Sequence, residues 1–398
     1  MKHPYRYFGA VLFLALACSP AENGIVEEEG PLDLRVSLDP PEFGYQLATE
    51  SYVVEPHSEV YKCSVVRIDP TDGENLAWIG ALASRTSEAS HHMNVNMGIF
   101  SMGDALLGEG QSANLLGAET GTHDCADLGD LMQTQQVQTV YPSQRTEQEG
   151  VLPEGVALPL PVPLVLIMEH HYINTRDEEV KVNAVLNLER THEDEVEYVT
   201  TGVWGGIDDV ELPPHSRKIE TGTCRLTRDF TMFAISSHSH ERGACFSMNF
   251  YSDHATPAVD PEPFFINDDW ESPPILFMEQ QSWTHFEPLQ MREGDGIHWA
   301  CHYVNPEDRT VTTGPTADDE MCIFVAMGYP GDVSVEEVKE MFASDSLSLD
   351  DALRALTATV PCEPVEDVES PWEEADIAFD LDEGDAYAAC AGYETTLE

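Results

Sequence analysis

Phe230-Thr231-Met232-Phe233-Ala234-Ile235-Ser236-Ser237-His238-Ser239-His240 is the stretch on which the reading of this 398-residue chain turns. Its first seven residues mix aromatic, β-branched and small side chains after Asp229, the composition of a strand packed into a sheet. It closes on two histidines at i, i+2, a spacing that places both imidazoles on one face of a strand, within reach of one ion. Alone, the pair fits two solvated imidazoles equally well.

Similar runs lie on both sides. Cys245–Tyr251, Gly296–Tyr303 and Met321–Gly328 follow, and Ser51–Val54, Tyr61–Ile68, Leu164–His171 and Val180–Leu188 precede, each bounded by Pro, Gly or Asp. The 26 prolines interrupt most helical patterns, and Pro159, Pro161 and Pro163 exclude a membrane helix from the apolar run Val156–Met168. The fold class is therefore all-β, and the length suits two sandwiches, expected over residues 32–195 and 196–332. No repeat between the two blocks is evident. Beyond Gly331, Ser334-Val335-Glu336-Glu337 and Ser348-Leu349-Asp350-Asp351 each place a cap and an acid three residues later, so residues 333–398 read as two short helices and an acidic extension.

At the other end, Lys2 and Arg6 precede the apolar run Tyr7–Ala17, the layout of a secretory signal peptide over residues 1–17. Leu14-Ala15-Leu16-Ala17-Cys18 resembles a bacterial lipobox, with plain cleavage after Ala17 as the alternative. Lipidation of Cys18 would leave an acidic tether over residues 18–31, an outer-membrane or cell-surface location, and membrane contact only through the anchor. It would also leave eight of the nine cysteines, an even set suited to an oxidising compartment. The net charge of −54 argues against nucleic acid as a partner.

Met321 gives the histidine pair its context. A thioether is a soft neutral ligand that suits Cu(I) and is a poor choice for zinc, so two histidines with a methionine indicate redox copper. Met321 adjoins Cys322, and a disulfide to Cys301, one strand back, would fix the backbone that aims the sulfur. His91-His92 meets an obstacle: adjacent residues on a regular strand face opposite ways and cannot chelate one ion without a bulge or turn. His170-His171 has the same difficulty, so at most one of that pair is a ligand. The remaining histidines, His298 and His302 among them, read as surface or packing residues.

Several segments together resemble the copper type II, ascorbate-dependent monooxygenases. The likeness runs over residues 50–330. His91-His92-Met93, Leu152-Pro153-Glu154-Gly155-Val156 and His171-Tyr172-Ile173-Asn174 resemble that family's His-His-Met, Leu-Pro-x-Gly-Val and His-Tyr-x-Asn segments. Phe233 with His238-Ser239-His240 and Gly243 resembles Phe-x4-His-Thr-His-x2-Gly. The closing segment from Cys301-His302-Tyr303 through Thr313-Gly314, Thr316 and Asp319-Glu320-Met321-Cys322 to Tyr329-Pro330 is similar almost position by position.

The resemblance implies two jelly-roll-like β-sandwiches facing each other across a cleft, with two coppers. His91, His92 and His171 would hold an electron-transfer copper, and His238, His240 and Met321 an oxygen-activating one. It implies a Cys63–Cys125 disulfide as well; Cys224–Cys362 and Cys245–Cys390 follow by elimination, their pairing left open. Dioxygen, a small organic substrate and a reductant, ascorbate or similar, are the implied partners, and C–H hydroxylation the implied reaction. Two departures weigh on the details. Asn96 and Gly98 stand where the family has Phe and Cys, and Ser236 and Ile323 where its peptide-amidating branch has Arg and Asn, which argues against peptide amidation. Asp318, Asp319 and Glu320 read as an acidic surface run, with a contact to a cationic substrate as the alternative. A copper-binding lipoprotein for sequestration or delivery, without catalysis, is the competing function.

Overall fold

The computed structural model describes residues 30–70, 74–98, 120–128, 137–143, 145–270, 276–277, 288–314, 316, 318–331, 333–343 and 362–372. The architecture is all-β, built of sandwiched sheets. Up to Val199, a five-stranded sheet (Gly121–Asp124, Ser58–Ile68, Leu164–Asn174, Ser90–Gly98, Val137–Ser143) faces one centred on Leu76–Thr86 and Ala184–Arg190. Alternating side chains of both close a core around Ile79, Met93, Leu164, Leu166 and Leu186. From Thr201 onward, Thr201–Ile207, Cys322–Tyr329 and Phe230–His238 form one sheet, and Val259–Asn267, Gly243–Ser252, Asp295–Asn305, Ser216–Leu226 and Cys362–Pro364 the opposing one. Phe246, Trp299, Tyr303 and Phe324 fill the space between them.

The strand Phe230–His238 serves two masters. Met232 and Ile235 point into the second core, but a register shift between Met232 and Ala234 turns Phe233 and Ala234 onto the outer face, where they pack with Leu152 and Val156 of the first group. Part of that outer face thus joins the two groups, and Ser236 and His238 follow farther along the same strand. The helix Val335–Ala343 is closed by the expected capping box, Glu337 N–H donating to Ser334 Oγ at 3.2 Å and Ser334 N–H to Glu337 Oε2 at 2.8 Å. Its Val338 and Phe342 pack on Trp78 and Ala157. The second expected helix, at 348–351, lies outside the described residues, as do the signal segment, Cys18 and Cys390.

A repeat does relate the two groups, contrary to the reading of the sequence. Pro56-His57-Ser58 enters the strand Ser58–Ile68, and Pro214-His215-Ser216 enters Ser216–Leu226; both histidines have φ of 49°. His57 pairs with Asp177 at 2.9 Å and His215 with Asp308 at 2.7 Å. Each strand pairs antiparallel with one that ends in His-Tyr-x-Asn, His171 to Asn174 and His302 to Asn305. The two asparagines are clamps of one design: Asn174 Nδ2 donates to the carbonyls of Val54, Glu55 and Glu178, and Asn305 Nδ2 to those of Leu212, Pro213 and Arg309, at 2.9 to 3.2 Å. The shared residues are few and scattered over hydrogen-bonding positions, so hydrophobic patterning hid the relation.

The repeat makes His302 the counterpart of His171, but its surroundings differ. Cys362 is disulfide-bonded to Cys224, and residues 362–372 cross the outer face of the second group, setting Trp372 edge-on to His302 at 4.9 Å. Ser370 Oγ meets His298 Nε2 at 2.9 Å. Both nitrogens of His302 are buried without a partner, and burial pushes its pKa down to about 4. The folded pKa lies below that of the unfolded chain. Acidification from about pH 6.5 to pH 4 therefore protonates the unfolded state first and removes stability. His302→Phe is predicted to lose less stability than the wild type over that window, by about 3 kcal/mol at its acid end, and to match or exceed it near pH 5. Urea midpoints of both proteins across the window measure this.

Candidate metal centres

Adjacent histidines find one face of the sheet through a bulge. Along the pairing of Leu164–Asn174 with Ser90–Gly98, His171 opposes His92 while Tyr172 opposes Ser90, which leaves His91 as the extra residue. Met93 and Val95 then return to the core, fully buried. His170, as period-2 counting requires, turns to the opposite face and is buried beside Tyr172. One ring nitrogen each of His91, His92 and His171 lies within 4.8 Å of the others. Tyr61 stacks on His171 at 3.9 Å, and Glu59 Oε1 accepts from His171 Nε2 at 2.6 Å.

The second set forms at a strand end. His238 is the last residue of its strand, and His240 lies beyond it, so the convergence is not the work of strand alternation alone. The two Nε2 atoms come to 3.2 Å. His240 Nδ1–H donates to the Asp319 carbonyl at 3.0 Å, a tautomer that leaves the Nε2 lone pair facing His238. Glu320 ties this loop to Met321. Its carboxylate accepts from the backbone N–H groups of Arg242 (2.8 Å), His240 (3.0 Å) and Met321 (3.2 Å). Tyr303 O–H donates to the Met321 carbonyl at 2.7 Å, and the Cys301–Cys322 disulfide fixes the next residue. The acidic-run reading therefore fails for Glu320, which is fully buried and occupied by backbone; Asp318 is exposed, and the Asp319 carboxylate is held by Thr316.

The donors fit copper. Nδ1 of His92 and Nδ1 of His171 are buried without a hydrogen-bond partner, a cost of about 1–3 kcal/mol each that a metal ion would remove. Burial lowers the pKa of His91 to about 4 and of His238 to about 3, so both are neutral at physiological pH, the state that ligation needs. The two sets are also near neighbours: burial lowers the pKa of His91, His92 and His171 most, and to this His240 adds a smaller depression at all three and His238 one at His92. Trp270, of the second group, stands edge-on to His91 at 6.0 Å.

Beside His238 the sheet face is apolar and open. Ile323 pairs with His238, and Val325 pairs with Ser236 on one side and Trp204 on the other. Trp204 is 62% exposed and Val325 37%. Sequence reading singled out Ser236 and Ile323 but missed Trp204, Glu59 and the clamp role of Glu320, because cross-strand register, invisible in the sequence, brings them to the ligands. The cysteine pairs Cys63–Cys125, Cys224–Cys362 and Cys301–Cys322 are present, and Cys245 is disulfide-bonded.

Residues 201–348 match the C-terminal domain of the copper type II ascorbate-dependent monooxygenases. Among solved structures, the triple jelly roll of an archaeal virus turret aligns at 8% identity and a TM-score of 0.18, over 72% of this chain and 60% of that one. The infectious bursal disease virus Gx strain aligns at 10% identity and a TM-score of 0.16, over 76% of this chain and 74% of that one. Overlaps so slight carry no argument about fold or function.

Replacing Glu320 strands three backbone N–H groups at once, those of His240 and Arg242 buried and that of Met321 partly so. Glu320→Ala is predicted to destabilise the protein by roughly 3 kcal/mol and to loosen the loop that carries His240, measured as a lower urea midpoint and weaker copper binding.

Proposed function

We propose, from the match of residues 201–348 to the C-terminal domain of the copper type II ascorbate-dependent monooxygenases, that this chain is a two-copper monooxygenase that hydroxylates a C–H bond of a small organic substrate, with dioxygen as oxidant and ascorbate or a similar reductant as electron donor. The observation that carries the reading is the cluster of His91, His92 and His171 beside the His238–His240 pair, whose loop Glu320 ties to the backbone of Met321. In the overall reaction one oxygen atom enters the substrate and the other leaves as water, with two electrons and two protons from the reductant. Copper, when bound, supplies dioxygen activation at the histidine–methionine set and electron storage at the three-histidine set.

The chain's own residues do the positioning. Glu320, Tyr303 and the Cys301–Cys322 disulfide hold His240 and Met321, and the Asp319 carbonyl keeps the Nδ1 proton of His240 away from its donor nitrogen. Trp204, Ile323 and Val325 offer a flat apolar surface next to His238, and neither Lys nor Arg occurs among the paired positions of that face. This favours a neutral or cationic substrate with an aromatic or aliphatic body. The disulfides suit an oxidising compartment and support export of the protein, and the lipobox-like Leu14–Cys18 segment supports a lipid anchor.

Copper-loaded protein with ascorbate is predicted to consume oxygen in step with product over a panel of apolar amines and aryl compounds, and Met321→Ala or His92→Ala to cut that turnover roughly 100-fold or more. Two bound coppers without substrate-coupled uptake would leave sequestration or delivery as the function. For a substrate that turns over, Trp204→Ala is predicted to raise KM roughly tenfold at little cost in kcat, read from initial rates.

A further inference from the structure

Resting on the copper reading above, we propose that Glu59 is the positioning residue of the three-histidine site, whose carboxylate sets the tautomer of His171 and so presents Nδ1 to the metal. Glu59 Oε1 and His171 Nε2 are 2.6 Å apart. A carboxylate can only accept there, so Nε2 carries the proton and Nδ1 the lone pair. Nδ1 is the nitrogen of His171 that is buried without a partner. Glu59 stands outside the set of mutually close donors formed by His91, His92 and His171, and its side chain is about half exposed, at 47%. That places it behind the ligand.

The ring is held in two further ways. Tyr61, two residues along the same strand face, stacks on the imidazole with its plane tilted by 17°. The strand Leu164–Asn174 is paired on both edges, with Tyr61 and His92 directly opposite His171. Stacking fixes the plane of the ring but not which nitrogen is protonated; that choice falls to Glu59. The repeat supplies a contrast. Position 59 corresponds to Arg217 in the second copy, and the counterpart imidazole, His302, has no partner at either nitrogen. A carboxylate at this place accompanies the copy in which the histidine meets two others.

Hydrogen bonding of this kind also raises the donor strength of the opposite nitrogen, which favours Cu(II) over Cu(I). The test titrates full-length protein with Cu(II) against a competing chelator and records the electron paramagnetic resonance spectrum of each site. Glu59→Ala is expected to weaken copper binding at the three-histidine site roughly 10- to 100-fold and to change its hyperfine pattern, with the spectrum of the other site unchanged. Glu59→Gln, which keeps an acceptor oxygen without the charge, is expected to fall between. Wild-type affinity and spectrum in Glu59→Ala would overturn the proposal. His92→Ala separates this failure from that of the underlying reading: if it loses one copper while Glu59→Ala keeps both, only the role of Glu59 falls, and if it too keeps both, the site itself falls.

Discussion

A regular strand sends neighbouring side chains to opposite faces, and the three-histidine site exists because one extra residue breaks that rule at His91. The bulge is local. His92 stays in register with His171, and Met93 and Val95 resume the core pattern within one residue, so the sheet keeps its hydrophobic face while the site gains a donor. Without the bulge, either His91 would turn to the core face alongside Met93, or the core would lose its register. The rest of the site follows from this placement: Tyr61 and Glu59 approach His171 from the strand on its other edge, where pairing with Ser58–Ile68 is unbroken.

The second donor set is held by a different device. It lies past the end of a strand, where no ladder fixes the backbone, and a buried carboxylate does so instead. Desolvation raises the pKa of Glu320 to about 7, partly offset by the three backbone N–H groups that it accepts. Loop and strand thereby share one anchor. The same outer face, a few residues away, turns Phe233 and Ala234 against Leu152 and Val156, so the contact that joins the two groups of sheets and the surface beside His238 belong to one strand. Any shift of that strand is felt by both.

Much of this was legible in the sequence, for reasons that can be named. Strand composition and prolines announced the all-β class, and Ser334 with Glu337 announced the capped helix, since each is a local property. His91 and His92 were opposed by spacing and supported only by resemblance; the bulge that reconciles them leaves no mark in the residue pattern. Asp318-Asp319-Glu320 looked like a solvated run because composition cannot tell which of three neighbouring acids is buried. Val180–Leu188 read as one strand, yet Asn183 interrupts it: its side chain bonds both backbone groups of Val36, and its carbonyl accepts from Tyr172. The repeat escaped notice for a similar reason, since its identity resides in the His57–Asp177 pair, the backbone clamp of Asn174 and their counterparts, contacts that hydrophobic patterning does not carry.

The disulfide that steadies Met321 has a further property. It joins the two sheets of its sandwich, and its cysteines are buried to 1% and 0% exposure. Thiol exchange requires a thiolate to approach a sulfur along the S–S axis. In the folded protein no such approach is open, so the link that holds the backbone next to Met321 lies beyond the reach of reducing agents in the surrounding medium.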